Sequence, residues 1–520
     1  MAPNEFRGRQ AIPRRAVLQG AAAAAGTALL PRGSRAEAPR KGGVLRWSMA
    51  NNPASLDPIT GRTASDFTVL YTLFEGLIDF DPHTVELKPG LAKSWTFADP
   101  KTLVLDLEED VTFHDGTPFD AEAAKFNLER ARTDPRSNAK ADIATVTTIE
   151  ASGSHQLVLY LDRPNAAIPA ILTDRVGMML SPSFIKAKGP NVDRAPVGTG
   201  PWKLANWQDN ERIVLTRNEH YWKPGLPYLD GVNIAIIAEP MTGLRSVIAG
   251  ENDVATNLGP QQKPVADRAG NLVTDVSRSM GMVGIYLNYG RPPLDDVRLR
   301  QALNYGINRD DLNKTIALGL DEPGSAILPR EHWACDSATF DHYRYDPDKA
   351  RQLLTEAGFP NGIDIPMMGW SDQLSMQRQE VMVTHLAKVG IRIQLTPAAP
   401  SESAARFFGP EKKGAGRMAL IAARPDPSQE YDNLFSKDAY FNAGNVELPG
   451  YRELLDATMS TTDRDARKAA FAKLQRFQIE NALLVPLLFN TSVVAHTPKV
   501  RNFVWGLIDK PKLTQVWLDG

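Results

Sequence analysis

Apolar and polar positions along the chain follow two periods, one typical of strands and one typical of helices. Apolar runs predict buried strands at Val44–Met49, Met282–Asn288, Leu483–Phe489 and Ser492–Ala495. Two further strands are predicted around Val146–Ala151 and Gln156–Leu161. Apolar residues spaced three and four apart predict a helix over about Ser65–Glu75. The helical pattern of Gln377–Val389 runs into the strand pattern of Ile391–Leu395, which indicates a β-α-β crossover. Because helices and strands alternate throughout, the sequence predicts an α/β fold.

One stretch places charged residues at the end of such a strand. The apolar run Met418–Ala423 predicts a buried strand, and Arg424 and Asp426 follow it, with Pro425 and Pro427 beside them. The prolines interrupt strand pairing and predict a turn, followed by a polar and aromatic loop. In open α/β sheets, ligands bind at the carboxyl ends of strands. These residues alone leave two interpretations open: a ligand site, or a solvated turn with a surface Arg–Asp pair.

The N-terminal 38 residues have the pattern of a secretory leader. A basic segment precedes the apolar run Ala16–Leu30, and Ala36-Glu37-Ala38 is a small-x-small cleavage signal. Arg14-Arg15 resembles the twin-arginine export signal, and an ordinary Sec leader is the alternative. No cysteine lies near the cleavage site, which excludes a lipoprotein anchor, and no other stretch is apolar enough to span a membrane. We therefore expect an exported, soluble periplasmic protein.

Length and composition limit the remaining possibilities. The 520 residues are too many for one hydrophobic core and predict two or three domains. The formal net charge of −2 gives no indication of nucleic-acid binding. Since Cys335 is the single cysteine, an intramolecular disulfide framework and a four-cysteine zinc site are excluded.

Several motifs occur in an order that carries a family resemblance. Over nearly its full length after the leader, the chain resembles the family 5 extracellular solute-binding proteins. These are the periplasmic receptors of ABC importers for peptides, nickel complexes and related solutes. The resemblance rests on Ser55–Pro58, Phe113–Phe119, Pro196–Trp202, Asn218–Trp222, Pro293–Leu303, Tyr345–Ala350 and Pro425–Pro427.

The resemblance implies a two-lobed periplasmic-binding-protein fold with an additional third domain and a ligand cleft between the lobes. Hinge motion then closes the lobes on the ligand. It implies a monomeric receptor without enzymatic activity or cofactor, which delivers its solute to an inner-membrane ABC permease. The implied domains are lobe I (39–82, 198–279 and 487–520), an extra domain (83–197) and lobe III (280–486). The implied hinge lies near Arg278–Gly281 and Leu484–Leu487.

At one position the chain differs from the family pattern, and this difference bears on the chemistry of the ligand. In the peptide receptors of this family, an aspartate three residues before the Asp-Pro pair anchors the α-ammonium group of the ligand. Ala423 occupies that position here, and Arg424 stands beside it. A buried guanidinium needs a partner, so Arg424 either pairs with Asp426 or another acid, or binds an anionic ligand group. We therefore expect a peptide-like or other small organic solute with an anionic group.

The other site candidates come from predicted strand ends and lobe crossings. Asn51 and Asn52 end the first strand, where a simple turn is the alternative. Met280 at a crossing and Trp370 after its strand could contact an apolar ligand part, with core packing as the alternative. Together with three polar side chains of the stretch after Arg424, the candidate ligand-binding residues are Arg424, Asp426, Asn51, Asn52, Met280, Trp370, Tyr440, Asn442 and Asn445.

Motifs for other chemistry are weak. The loop His332–Asp336 contains metal-ligand residue types, but its spacing matches no closed metal site, so we expect no metal. Gly198-Thr199-Gly200 resembles a phosphate loop, but Pro201 blocks helix entry and predicts a tight turn instead. The sequence contains no G-x-S-x-G or H-E-x-x-H motif. Two alternatives stay open: an exported hydrolase on a similar scaffold, and a signalling receptor not coupled to transport.

Overall fold

Most strands of the protein join one large sheet. In this computed structural model, which describes residues 38–189 and 192–520, the strands are β1 (Val44–Met49), β2 (Ile78–Phe80), β3 (Leu87–Pro89), β4 (Ala92–Asp99), β5 (Thr102–Leu107), β6 (Val146–Ala151), β7 (Gln156–Leu161), β8 (Trp202–Gln208), β9 (Arg212–Arg217), β10 (Gly231–Ile236), β11 (Val254–Leu258), β12 (Val273–Leu287), β13 (Glu322–Pro323), β14 (Ile363–Trp370), β15 (Ile391–Ala398), β16 (Gly416–Ile421), β17 (Leu484–His496), β18 (Val500–Arg501) and β19 (Trp517–Leu518).

Helices alternate with these strands, as the apolar pattern predicts. Their bounds are α1 (Ala64–Leu73), α2 (Ala121–Thr133), α3 (Ile168–Ile171), α4 (Pro182–Lys188), α5 (Pro240–Ile248), α6 (Lys263–Ala269), α7 (Val297–Gly306), α8 (Arg309–Ala317), α9 (Ser337–Phe340), α10 (Pro347–Glu356), α11 (Gln373–Lys388), α12 (Pro400–Phe408), α13 (Pro427–Phe435), α14 (Tyr451–Met459) and α15 (Arg464–Glu480), with a short 3₁₀ helix at Arg175–Gly177. Acidic N-caps begin many of them; the Asp120 side chain, for example, accepts a hydrogen bond from the backbone N–H of Ala123 at 2.8 Å.

The predicted leader, with its twin-arginine pair and nearly all of its cleavage signal, falls on residues 1–37, outside the described part of the chain. Within the ranges 38–189 and 192–520, no helix is both long enough and apolar enough to cross a membrane.

Two long strands run through the whole main sheet. Its order is β15-β14-β16-β12-β17-β11-β1-β10-β9-β8, with β13 also paired to β17. β12 has 15 residues and β17 has 13, and they pair antiparallel along nearly their full length. The start of β12 pairs with the end of β17 beside β11, and the end of β12 pairs with β16. The sheet therefore has two halves that share only these two strands.

The pairing of β12 and β17 is interrupted between the two halves. Arg278 pairs with Thr491 and Met282 pairs with Phe489, so three residues of β12 lie opposite one residue of β17. This bulge coincides with the first predicted crossing, Arg278–Gly281. The sequence interpretation ended one strand at Phe489 and began another at Ser492. That division was wrong, because β17 continues through the two polar residues between them, and Thr491 pairs with Arg278 of β12.

Hydrophobic residues form three large cores. One draws on residues between Met282 and Phe489, and a second on residues between Ile59 and Met179. The third combines residues from 45–80, 178–254 and 494–516. The second core lies under the antiparallel sheet β4-β5-β7-β6, against which α2 packs. This arrangement is consistent with three domains, whose boundaries stay a prediction.

A buried ion pair connects the second core to the segment after β1. Asp57 is fully buried, and its carboxylate accepts hydrogen bonds from both terminal nitrogens of Arg130 on α2, one of them at 2.9 Å. A bidentate guanidinium–carboxylate pair holds both side chains in one orientation. The Ser55–Pro58 motif therefore has a structural role at this junction.

Two glycines of the Pro196–Trp202 motif allow close contact with the end of α1. A Cβ atom on Gly198 would lie 2.3 Å from the Leu73 carbonyl oxygen, and one on Gly200 would lie 2.5 Å from the Leu73 carbonyl carbon. Neither distance leaves room for a side chain. Backbone packing thus accounts for the residues that resemble a phosphate loop.

The chain after β16 forms a helix where the sequence predicted a loop. Asp426 is the N-cap of α13 and accepts a hydrogen bond from the Ser428 N–H at 2.9 Å, and Gln429 completes a capping box. Pro427 occupies the first helical turn, where a missing N–H costs nothing. The predicted strand is confirmed as β16, but the loop interpretation is wrong because proline begins this helix.

Candidate functional site

The charge of Arg424 acts on four titratable side chains from separate parts of the chain. Arg424 follows β16 and is partly buried. Its charge lowers the pKa of Glu430 and Tyr286, both already raised by burial. It also acts to lower the pKa of Asp174 and Lys510. Within the described residues, the guanidinium has no hydrogen bond or ion pair of its own. We call Arg424, Glu430 and Tyr286 one wall of the candidate site, and Asp174 and Lys510 the opposite wall.

Asp426 does not pair with Arg424. Both of its carboxylate oxygens lie 2.9 Å from the Arg467 guanidinium, and Asp426 is only 3% exposed. One of these oxygens also caps α13. The structure therefore contradicts the alternative in which Arg424 pairs with Asp426. Because the Asp426 carboxylate is directed to the helix N-terminus and Arg467, this candidate residue is not part of the proposed site.

Glu430 is a buried carboxyl group on the same wall as Arg424. It lies in the first turn of α13 and is 4% exposed. Among the described residues, no donor contacts its Oε2 atom. Burial raises the pKa of Glu430 to about 8, and the Arg424 charge opposes that rise. The first turn of α13 thus places an unpaired acid near the unpaired guanidinium.

The opposite wall contains an ion pair surrounded by aromatic rings. Lys510 Nζ lies 3.1 Å from the Asp174 carboxylate. The same ammonium lies 4.9 Å from the Phe67 ring and 5.0 Å from the Tyr71 ring. Burial lowers the pKa of Lys510, Asp174 partly offsets this effect, and Arg424 adds to it. The Arg424 charge acts on both members of this pair, so the three charged groups lie within electrostatic range of one another.

Trp370 and Tyr440 belong to one aromatic cluster beside Arg417. The Arg417 guanidinium lies 5.7 Å from the Trp370 ring and 5.4 Å from the Phe408 ring. The Tyr440 ring lies 5.3 Å from Phe408, and Tyr440 is 56% exposed. Trp370 is partly buried, and no described group accepts a hydrogen bond from its Nε1–H. The cluster includes Tyr286, which connects it to Arg424 and Glu430.

The two candidate asparagines after α13 shape their own loop. Asn442 is 1% exposed, and its Nδ2 donates to the carbonyls of Phe435, Ser436 and Val446. Asn445 is exposed and adopts a left-handed φ of 51°, which asparagine tolerates better than most residues. The geometry gives both residues a role in the loop backbone.

The candidates near β1 and β12 also make structural contacts. Asn51 is exposed, whereas Asn52 accepts a hydrogen bond from Trp207 Nε1 at 3.1 Å. Met280 is 3% exposed, and its backbone N–H donates to the Leu507 carbonyl at 2.8 Å. Asn52 thus stabilises a turn, and Met280 packs at the bulge between the two halves of the sheet.

Sequence reasoning missed Glu430, Asp174 and Lys510. The capping pair Asp426 and Gln429 was a signal for α13, and it would have placed Glu430 in a first helical turn. Lys510 follows the last predicted strand in a segment without periodic pattern, so only the fold brings it to Asp174.

The family model of the bacterial extracellular solute-binding proteins, family 5, matches residues 86–442. The chain belongs to this family. It is a substrate-binding protein and not an enzyme. Its relatives include the glutathione-binding protein GsiB of Escherichia coli K12, which is 28% identical over 470 residues, covering 88% of this chain and 91% of GsiB.

Solved structures of periplasmic binding proteins share the mixed α/β fold of this chain. DppA from Helicobacter pylori, an ABC transporter-associated periplasmic binding protein in complex with the peptide STSA, has a TM-score of 0.83 and 25% identity, over 92% of this chain and 99% of DppA. AgaA from A. tumefaciens R10, in complex with agropinic acid, has a TM-score of 0.81 and 21% identity, over 92% of this chain and 99% of AgaA. The predicted α/β periplasmic-binding-protein fold is therefore confirmed, and the family match confirms the substrate-binding role.

Proposed function

We propose that this protein is the periplasmic receptor of an ABC importer and captures a peptide-like or other small organic solute with an anionic group. The observation that carries the proposal is the Arg424 guanidinium, which is partly buried and unpaired among the described residues. Guanidinium presents a planar fork that binds carboxylate or phosphate through two hydrogen bonds. GsiB is named for glutathione and DppA is in complex with a peptide, which supports a peptide-like solute.

The proposed mechanism is hinge closure around the solute. Lobe I (39–82, 198–279 and 487–520) and the extra domain (83–197) would move relative to lobe III (280–486) about the bulge in β12. Arg424 belongs to lobe III, whereas Asp174 and Lys510 belong to the opposite wall. Closure therefore changes the distance between Arg424 and those two residues, and an anionic group between them favours the closed form. The closed receptor would then dock on the permease.

Export of a monomer through the twin-arginine route completes the proposal. Its support is the Arg14-Arg15 pair ahead of the apolar run and the Ala36-Glu37-Ala38 signal. Replacing both arginines with lysine should leave the full-length precursor in the cytoplasm, as cell fractionation would show. Normal processing of that variant would instead support a Sec leader.

Arg424 provides the direct test of solute binding. Native mass spectrometry of receptor purified from the periplasm identifies any co-purified solute, and calorimetry then measures its affinity. Arg424→Met should weaken binding of an anionic solute by about 2–5 kcal/mol, through loss of a charge pair in the cleft. Arg392→Met, which replaces an exposed arginine of lobe III on β15, is the matched control. Unchanged affinity in a folded Arg424→Met receptor would refute the proposed role, and a chemically altered solute would refute the receptor function.

A further inference from the structure

The predicted extra domain (83–197) and predicted lobe III (280–486) contact each other at the turn between α14 and α15. The backbone N–H of Ala166, two residues before α3, donates to the carbonyl of Met459, the last residue of α14, at 2.9 Å. The Glu86 carboxylate lies 3.1 Å from the guanidinium of Arg464, the first residue of α15. Both contacts join segments that the proposed hinge motion would move relative to each other.

Lobe III positions Arg464 for this contact. The Arg464 guanidinium lies 5.5 Å from the centre of the Trp333 ring, which is within the range of a cation–π contact. A second cation of the extra domain, Arg163, acts on α14. Burial raises the pKa of Asp456 on that helix, and the charges of Arg452 and Arg163 oppose this rise. Opposite charges therefore act across the contact at two places.

The contact contains a groove, so it differs from a packed core. Phe97 packs against the core of residues 59–179, whereas Met459 belongs to the separate core of residues 282–489. The Glu86 and Arg464 side chains are both exposed. Partly polar contacts of this kind are typical of domains that move relative to each other. The groove has a volume of about 250 Å³, and residues of both sides line it: Phe97, Pro100, Pro164, Met459, Thr461 and Thr462.

We propose that the Ala166–Met459 hydrogen bond and the Glu86–Arg464 ion pair form a latch, which holds part of the solute-free population in the closed form and opens with the hinge. This inference rests on the proposed receptor function and concerns contacts made without solute. One hydrogen bond and one exposed ion pair are each weak, so the latch shifts the open–closed equilibrium without locking it. Solute binding then has less of the closure to supply, so the latch raises the apparent affinity of any solute that the closed form retains.

Hydrogen–deuterium exchange of the full-length receptor measures the latch at the Ala166 amide, which fragmentation mass spectrometry resolves. Any co-purified solute is first removed by unfolding and refolding, and native mass spectrometry checks its absence. The variants are Glu86→Arg, which brings two cations together, and Glu86→Arg/Arg464→Glu, which restores an opposite pair with exchanged charges. Glu109→Arg is the matched control, because it reverses an exposed glutamate that pairs with Lys93 inside the extra domain at 3.3 Å.

In the wild type, the Ala166 amide should exchange more slowly than an unprotected amide and faster than the core amides of β12, because the latch opens without unfolding. Glu86→Arg should speed this exchange about 3- to 10-fold, and the double variant should return it to within about 2-fold of the wild type. Glu109→Arg should leave it unchanged. Exchange as slow as in β12 would show a permanent contact and overturn the proposal. Equal exchange in the wild type and Glu86→Arg, or no recovery in the double variant, would also overturn it.

The latch and the solute site are tested separately. Because the exchange experiment contains no solute, its result does not depend on whether the receptor captures an anion. The comparison of Arg424→Met with the wild type tests the proposed function whether or not the latch opens. A latch that opens in a receptor without affinity for any anionic solute would therefore refute the proposed function alone.

Discussion

Asp426 pairs with Arg467, 41 positions further along the chain, although Arg424 is only two residues away. The pair connects the N-terminus of α13 to the first turn of α15, and both side chains are almost fully buried. Asp426 is satisfied in this way, and the Arg424 guanidinium has no direct partner among the described residues. One carboxylate therefore stabilises the fold, and the neighbouring cation stays available for the proposed site.

The Asp426–Arg467 pair should matter greatly for stability. Asp426→Ala removes the helix cap and leaves Arg467 buried without its carboxylate partner. Loss of one partner from a buried pair costs about 3–5 kcal/mol. Urea denaturation followed by tryptophan fluorescence should show this loss. Asp465→Ala, at an exposed position in the first turn of α15, is the control and should cost less than about 1 kcal/mol. A similar stability for both variants would contradict the role assigned to the pair.

Glu430 should make the stability of the ligand-free protein fall as pH rises. In the unfolded chain its pKa is near the ordinary value of 4.5, whereas burial raises it to about 8 in the folded protein. Between these values the folded state binds more protons than the unfolded state, so the free energy of unfolding decreases with pH. Glu430→Gln cannot titrate, so its stability relative to the wild type should increase by about 2–4 kcal/mol from about pH 5 to about pH 8 and then level off.

Thermal unfolding of Glu430→Gln and the wild type across this pH range checks that prediction. The groups whose charges interact with Glu430 are Arg424, Tyr286 and Tyr431, and the tyrosines stay neutral there because burial raises their pKa. Glu453→Gln, which replaces an exposed glutamate in the first turn of α14, is the control and should show a pH profile parallel to the wild type. A constant difference between Glu430→Gln and the wild type would mean that Glu430 is ionised throughout.

Local pattern was enough to predict much of the fold. The strands β6 and β7 have the predicted bounds, because each alternates or concentrates apolar residues between clear turn signals. The sequence divided β17 in two because Asn490 and Thr491 are polar. Tertiary partners hold the strand in this region: the Thr491 N–H donates to Asp321 at 2.8 Å, and the hydroxyl of the next residue, Ser492, donates to Asp509 at 2.8 Å. No local pattern contains that information.

The family motif marks only one part of the candidate site. The sequence indicated Arg424 because it stands beside a position that has a role in relatives, and its role here stays a prediction. Glu430 was missed because the stretch after Pro427 was interpreted as a loop. A loop prediction does not indicate which side chains are buried or face the candidate site. Lys510 and Asp174 are brought together by packing of segments that are far apart in the chain. Asp426 is paired and Glu430 is not, because α15 places Arg467 beside Asp426. The local sequence does not contain this information.

Asp509 connects the bulge of β12 to the C-terminal segment that carries Lys510. Its carboxylate accepts hydrogen bonds from Ser279 Oγ at 2.6 Å, Ser492 Oγ at 2.8 Å and Trp505 Nε1 at 2.7 Å. Ser279 belongs to the bulge and Ser492 to β17, so Asp509 holds both crossing strands. The next residue, Lys510, pairs with Asp174 in the candidate site. Asp509 is thus placed to fix the proposed hinge relative to one wall of the cleft.

Asp509→Ala should therefore reduce both stability and solute binding. It leaves three donors without their acceptor, at about 1–3 kcal/mol for each donor that stays buried. It also places alanine at a left-handed φ of 56°, which asparagine and aspartate tolerate better. Asp509→Asn keeps an acceptor oxygen for Ser492 and Trp505 and tolerates this φ, so it should lose much less stability. Urea denaturation compares the two variants, and small-angle scattering with and without solute measures closure. Full closure and unchanged affinity in Asp509→Ala would show that the hinge does not depend on this contact.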